Sequence, residues 1–217
     1  GVTHAVMEVS SHALALGRIA GCEFDTGVFT NITRDHLDFH HTFENYIAAK
    51  AELFRLISAP GAKSDKAAVI NTDDPAADAM LAAASCRRIT YGVFRAADLI
   101  ATDISVRARG ASFNVRGPFG DLALALKITG TFNVYNVLAA AGAALAEGVG
   151  PAAVKMALED FRSVPGRFEL VDAGQPFTVI VDYAHTPDGL ENILRTVRQF
   201  AAGRVIVVFG CGGDRDR

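Results

Sequence analysis

Residues 67–71, Ala67-Ala68-Val69-Ile70-Asn71, are apolar at four successive positions. A strand with one wet face alternates apolar and polar residues, so this run predicts a strand buried on both faces, as in a parallel sheet covered by helices. Similar strand-length runs occur at residues 4–9, 27–31, 177–181 and 204–209. Between them, apolar residues recur at helical spacing over 43–57, 75–84, 133–147, 152–161 and 188–201, several opened by Thr, Asp or Pro and closed by Gly. The alternation predicts an α/β fold with a mostly parallel sheet flanked by helices. Three further runs, 99–108, 111–116 and 121–128, are parted by Arg109-Gly110 and Gly117-Pro118-Phe119-Gly120 and read as an antiparallel meander on the sheet's flank. Ser163-Val164-Pro165-Gly166 follows the helix at 152–161, and a new β/α series begins after it. This predicts one domain over 1–164 and the beginning of a second over 165–217.

The chain has 217 residues, half of them apolar, with 21 basic against 24 acidic side chains and a formal net charge of -3. A core of that size needs no disulfide or metal staple, and the balance lacks the basic surplus expected of a nucleic-acid or anionic-membrane binder. Cys22, Cys86 and Cys211 are widely spaced, odd in number and form no CxxC pair, which suits a reducing compartment. No run of 18 or more apolar residues exists and the first residues do not resemble a signal peptide. The expectation is a cytoplasmic protein with no membrane insertion. The chain starts without Met, almost inside an apolar run, and stops straight after another, as a piece of a longer protein would.

Several charged residues sit where cores are expected. On the 43–57 helix, Phe43, Tyr46, Ile47, Leu53, Phe54 and Ile57 fall within an arc of about 120°, and Lys50 lies near its centre. Lys50 either snorkels to water or is buried with its charge removed or used. A neutral amine can add carbon dioxide, and the resulting carbamate is an oxygen ligand suited to Mg²⁺. Glu8 stands at the carboxyl end of the run 4–9, where it can meet a metal or ligand or pair with a core cation. The segment Asn31-Ile32-Thr33-Arg34-Asp35-His36-Leu37-Asp38-Phe39-His40-His41 reads as a hydrolase metal cluster or as a polar loop with one histidine on substrate. It has no HExxH or His-x-His spacing for zinc.

Asn133 and Asn136, three apart at a helix start, can bind an adenine edge or cap the helix. Asp182 and His185 end a buried strand just before a helix, a placement that favours a nucleotide. The loop Gly210-Cys211-Gly212-Gly213-Asp214-Arg215 carries its third glycine out of register for GxGxxG, which argues against NAD or FAD.

Together these strings resemble the ATP-dependent Mur ligases of peptidoglycan synthesis, and within that family the branch that forms the tripeptide. The motifs are Met-Glu-Val-Ser-Ser-His-Ala-Leu at 7–14, Phe-Thr-Asn-Ile-Thr-Arg-Asp-His-Leu-Asp-Phe-His at 29–40, Ala-Lys-Ala-Glu-Leu-Phe at 49–54 and Gly-Thr-Phe-Asn-Val-Tyr-Asn at 130–136. Pro-Gly-Arg-Phe-Glu at 165–169, Val-Asp-Tyr-Ala-His-Thr-Pro-Asp at 181–188 and Gly-Cys-Gly-Gly-Asp-Arg-Asp at 210–216 complete the set. The resemblance implies a central P-loop-type domain followed by the start of a Rossmann-like C-terminal domain. By it, Lys50 is the carbamylated lysine, and Glu8 and His36 complete a magnesium site near the ATP phosphates. Ser10 and Arg18 match contacts to the UDP-MurNAc-dipeptide, Leu16 replacing a residue that is often polar in relatives. Asn133, Asn136, Arg167, Asp182 and His185 match nucleotide contacts, and Arg215 a contact to the carboxylate of the incoming amino acid, diaminopimelate or lysine.

The implied activity is amide-bond formation through an acyl phosphate, by a monomer. No GxxGK[ST] loop is present, and in the family it lies upstream of Glu8, so the piece by itself is expected not to turn over. The competing readings are another ligase of the superfamily, MurF or folylpolyglutamate synthetase, a metallohydrolase built on His36, Asp38, His40 and His41, and a non-catalytic nucleotide-binding module.

Overall fold

The computed structural model describes residues 1–61 and 63–210. In chain order the elements are α1 (Ser11–Ala15), β1 (Thr26–Phe29), α2 (Leu37–His40), α3 (Phe43–Ser58), β2 (Ala67–Asn71), α4 (Ala77–Ala83), β3 (Arg87–Gly92) and β4 (Leu99–Arg107). They continue with β5 (Gly110–Arg116), β6 (Leu122–Leu126), α5 (Thr131–Ala146), α6 (Pro151–Asp160), β7 (Glu169–Val171), β8 (Val179–Val181) and α7 (Pro187–Phe200). Strands β1 to β6 form one sheet in sequence order, parallel from β1 to β4 and antiparallel from β4 to β6. The α/β architecture and the flanking meander are as the sequence predicts.

β2 explains why successive residues had to be apolar. Val69 points into a core shared with Ile89, Tyr91, Leu99 and the α5 residues Val134, Leu138 and Leu145. Its neighbours Ala68 and Ile70 point the other way, into a core with Phe29, Tyr46, Phe54 and Met80. Helix α5 lies so close to the sheet that a Cβ on Gly142 would come 2.7 Å from Val69 Cγ1, so only glycine permits this approach. β6, at the far edge, is sealed by α6: Ala125 N donates to Glu159 Oε1 at 3.0 Å and Lys155 Nζ donates to the carbonyl of Ala123. A charged cover of this kind blocks pairing with another strand.

Two expected strands are absent. Residues 4–9 and 204–209 have no strand assignment, and Val6 and Val208 are almost fully exposed. A strand exists by pairing, and among the described residues no neighbour lies alongside either run. The expected strand at 177–181 shortens to β8 and pairs antiparallel with β7, Glu169 opposite Val181, where a parallel series was expected. β3, which opens on Arg87-Arg88, had no apolar signature; pairing with β2 creates it.

The carboxyl ends of β2 and β3 are tied by Asp73. Its carboxylate accepts from the amides of Val93 at 2.6 Å and Arg95 at 2.7 Å, from that of Phe94 and from Tyr135 Oη at 2.8 Å. Burial pushes the Asp73 carboxyl upward, but these donors together outweigh it and hold the group below its ordinary value. Because the folded value is depressed, the contribution to stability is full above the ordinary carboxyl range and is lost as pH falls through the lowered value. Asp73→Ala is therefore expected to lower the unfolding free energy by about 3 kcal/mol at neutral pH. Urea titrations at neutral and acid pH should show that deficit shrinking on acidification.

Candidate active site at the strand carboxyl ends

The polar residues gather beyond the carboxyl ends of the parallel strands, where open α/β sheets place ligands. The segment after β1 is anchored by Asp74, whose Oδ2 accepts from Ile32 N at 2.9 Å while Oδ1 accepts from Ala76 N at 2.8 Å. From that anchor the chain runs to Asp35 and His36. His36 precedes α2 with φ 56°, in the left-handed region that costs a non-glycine residue of order 1 kcal/mol. Asp35 supports the turn: Oδ1 accepts from His36 N at 2.8 Å, and Oδ2 lies 3.5 Å from His36 Nε2. A carboxylate beside an imidazole is the usual means of fixing ring orientation.

Lys50 projects from α3 next to this turn. Its Nζ lies 5.4 Å from the centroid of the Tyr46 ring, one helical turn earlier. Burial lowers the Lys50 pKa, and the charges of Glu8, Asp35 and Asp74 pull it partly back. Among the described residues Lys50 makes no salt bridge within 4.0 Å. The ammonium is thus half-buried in an acidic surround without a direct partner. Around it the rings of His36 and His40 pack on Tyr46, centroids 5.9 and 5.1 Å away. His12 packs edge-on to His36 at 4.8 Å. His40 Nε2 and Ser11 Oγ are 2.9 Å apart, and both residues are buried. Burial, then the neighbouring His12 and His36, lowers the His40 pKa, so its ring is neutral at neutral pH.

Glu8 is exposed rather than core-buried, because residues 4–9 have no sheet around them, yet it remains close enough to act on Lys50. Ser10 caps α1, its Oγ accepting from Ala13 N at 3.1 Å, and Arg18 is exposed beyond that helix. His40 lies near His36, both rings packing on Tyr46, but Asp38, His40 and His41 do not form a ligand set with it. Among the described residues no group of three or more His, Cys, Asp or Glu is placed to hold a metal ion, which removes the geometric basis of the hydrolase cluster. The residues do fit Mg²⁺ by a different route. A lysine with depressed basicity takes up carbon dioxide more readily, and its carbamate with Glu8 would give the oxygen donors Mg²⁺ prefers, beside the His36 ring.

A second group forms at α5. Asn133 Nδ2 donates to Thr129 O at 2.8 Å and Asn136 Nδ2 to Asn133 Oδ1 at 3.0 Å, placing the two amides together. The N-cap of α5 is Gly130, with no side-chain cap, so neither asparagine is used for capping. Phe132 packs on Phe168 at 5.6 Å and brings the turn 166–169 alongside. There Asp182 accepts from Phe168 N and Ala184 N, each at 2.7 Å, a brace between the start of β7 and the end of β8. Arg167 lies 5.0 Å over the Tyr183 ring, whose other neighbour is the His185 ring at 5.0 Å. The structure thus gathers Arg167, Asp182 and His185 around one turn. Arg215 lies outside the described residues.

With the fold and site in place, comparison with known proteins is decisive for the family. The Mur ligase middle domain matches residues 1–144, and the Mur ligase glutamate ligase domain matches residues 166–217. The chain belongs to the Mur ligase family. One relative, the UDP-N-acetylmuramoyl-L-alanyl-D-glutamate–2,6-diaminopimelate ligase of Bacillus cereus, is 48% identical over 100% of this chain and 44% of its own length. A solved structure of a 2,6-diaminopimelate ligase of the same name has a TM-score of 0.76 at 36% identity, over 96% of this chain and 42% of the other. MurF from Acinetobacter baumannii follows with a TM-score of 0.73 at 25% identity, over 82% and 38%. The chain spans less than half the length of the relatives it matches.

Tyr46, Asp74 and His12 also lie around this candidate site, and their residue types alone do not single them out in the sequence. Tyr46 was legible only as a core residue, although its position four before Lys50 was a usable signal. Lys50 carries a stability cost that its chemistry explains. Its folded pKa is lowered, so the unfolded chain binds more protons between that value and the ordinary lysine value, and stability rises with pH there. Lys50→Met is expected to be more stable than wild type at neutral pH, the gap narrowing as pH rises; urea denaturation across that range checks it.

Proposed function

We propose that this chain is the nucleotide- and peptide-handling part of MurE, the ligase that adds diaminopimelate to UDP-MurNAc-L-Ala-D-Glu at the expense of ATP in the cytoplasm. The observation that carries the reading is Lys50, half-buried beside Tyr46 and His36 in the field of Glu8, Asp35 and Asp74. An ordinary core would not keep that lysine. The similarity to diaminopimelate ligases across the full chain supports diaminopimelate rather than lysine as the incoming amine. We assign residues 1–164 to the middle domain and 165–217 to the start of the C-terminal domain, a division supported by the irregular stretch between α6 and β7. No helix among the described residues is long and apolar enough to cross a membrane. The sealed β6 edge suits a monomer.

In the proposed reaction the side-chain carboxylate of the D-glutamyl residue takes the γ-phosphoryl group of ATP, releasing ADP and leaving an acyl phosphate. The amine of diaminopimelate adds to that carbonyl, loses a proton, and phosphate departs as the amide forms. Ser10 and Arg18 hold the UDP-MurNAc-dipeptide. Asn133 and Asn136 meet the adenine, and Arg167, Asp182 and His185 meet the rest of the nucleotide from the second domain. Arg215 takes the carboxylate of the incoming amino acid. Lys50 as its carbamate, Glu8 and His36 would hold Mg²⁺, which would supply neutralisation of the phosphate oxygens when bound. The acidic surround of Lys50 is then useful, since it favours a cation in place of the ammonium.

Phosphate release by the gene's complete product, with ATP, Mg²⁺ and UDP-MurNAc-L-Ala-D-Glu, should depend on added diaminopimelate. Release with lysine alone would change the amine assigned, and release with neither would overturn the MurE reading in favour of MurF or folate substrates. Lys50→Ala should lower kcat by about 100-fold or more. A short-chain carboxylic acid should restore part of the loss if a carbamate is the working group.

A further inference from the structure

His40 and Ser11 are the buried polar pair that the reaction above does not use. Their relative exposures are 6% and 2%, values that usually belong to groups held for a reason, since a buried imidazole and hydroxyl need each other's hydrogen bond. The bond joins elements far apart in sequence, Ser11 opening α1 and His40 closing α2. On its other side His40 stacks on Tyr46, the planes inclined by 25° at 5.1 Å. The Tyr46 ring, 6% exposed, has three further neighbours: His36, edge-on at 5.9 Å, Phe43, edge-on at 6.2 Å, and Lys50 Nζ at 5.4 Å. One ring therefore touches two of the three residues assigned to the metal. His12 closes the group, edge-on to both His36 and His40.

We propose that Ser11, His40 and Tyr46 form a buried positioning column that fixes the separation of His36 and Lys50 and ties it to α1, which carries Ser10. The proposal rests on the metal assignment made above. His36 is itself the left-handed residue that precedes the short helix α2, and Lys50 has a long, flexible stem; neither would hold its place without a wall. Tyr46 provides the wall with its ring. The stack of His40 keeps the ring from swinging, and Ser11 keeps His40 from turning. None of the three touches a reacting atom, so they are positioning residues.

The test is Mn²⁺ binding to the complete protein, followed by electron paramagnetic resonance with thermal melting alongside. Lys50→Ala should weaken Mn²⁺ strongly, which establishes the site. Ser11→Ala and Tyr46→Leu should each weaken it by about tenfold, the usual scale for groups that orient metal ligands. Tyr46→Phe, which keeps the ring, should bind within about twofold of wild type, a rescue that hydroxyl loss alone would not give. The double variant Ser11→Ala, Tyr46→Leu should bind no more weakly than the worse single variant, because Ser11 acts through His40 on the same Tyr46 ring that the second substitution removes. A general packing defect would instead track the melting temperature and multiply in the double variant, overturning the column. Wild-type affinity in both Ser11→Ala and Tyr46→Leu, with Lys50→Ala impaired, also overturns it. Wild-type affinity in Lys50→Ala removes the metal assignment itself, and the column, with nothing to position, falls for that separate reason.

Discussion

Two adjacent carboxylates at the end of β2 hold together everything that reaches that edge of the sheet. Asp74 takes the Ile32 amide from the segment after β1 and the Ala76 amide ahead of α4. Asp73 takes the three amides after β3 and the Tyr135 hydroxyl from α5. Where parallel strands end, their last amides leave the ladder and must find acceptors or water. A carboxylate satisfies several at once and fixes their directions. Asn71 joins the same arrangement, its Nδ2 donating to Thr30 O at 2.7 Å. Through these few contacts β2 sets the place of the His36 turn on one side and of the Asn133 and Asn136 pair on the other.

That rigid frame carries strained and poorly solvated groups. His36 is held at positive φ, Lys50 is half-buried in an acidic field with no ion-pair partner among the described residues, and His40 is a neutral imidazole in a core. The first two lower stability, and all three lie on the segments from β1 through α3. The opposite core, where α5 meets Val69, Ile89 and Leu99, is built of aliphatic and aromatic side chains, with glycine at the closest approach. Both faces of the sheet carry a packed core, and the strained groups are confined to the face that α3 covers. In such proteins local rules are broken at the site, and the remainder of the fold supports the cost.

How much of this was legible in the chain follows from the range of each interaction. The helices α3, α5, α6 and α7 could be read because a 3.6-residue apolar period, Thr or Pro at the start and a turn at the end are local properties. The double burial of β2 was legible from its successive apolar residues. β3 was not, since two arginines open it and only its place beside β2 makes it a strand. The runs 4–9 and 204–209 were read as strands from composition, and composition cannot supply the partner that a ladder requires. At the site, Lys50 and His36 stood out by residue type and context. Tyr46 did not, because an aromatic residue on the apolar face of a helix is ordinary until its neighbours are known.

The sequence by itself determined the α/β class, the order of its helices, the meander and the family's motifs, all of which are encoded over a few residues or a few turns. Only the tertiary structure decided that Asp73 and Asp74 are the ties of the strand ends, that the asparagines of α5 are free of capping, and that Ser11, His40, Tyr46 and Lys50 form one chain of contacts. Those contacts link residues that α1, α2 and α3 bring together, and their existence depends on distances set by packing. A side chain's chemistry is written in its type, but its partner is chosen by the fold.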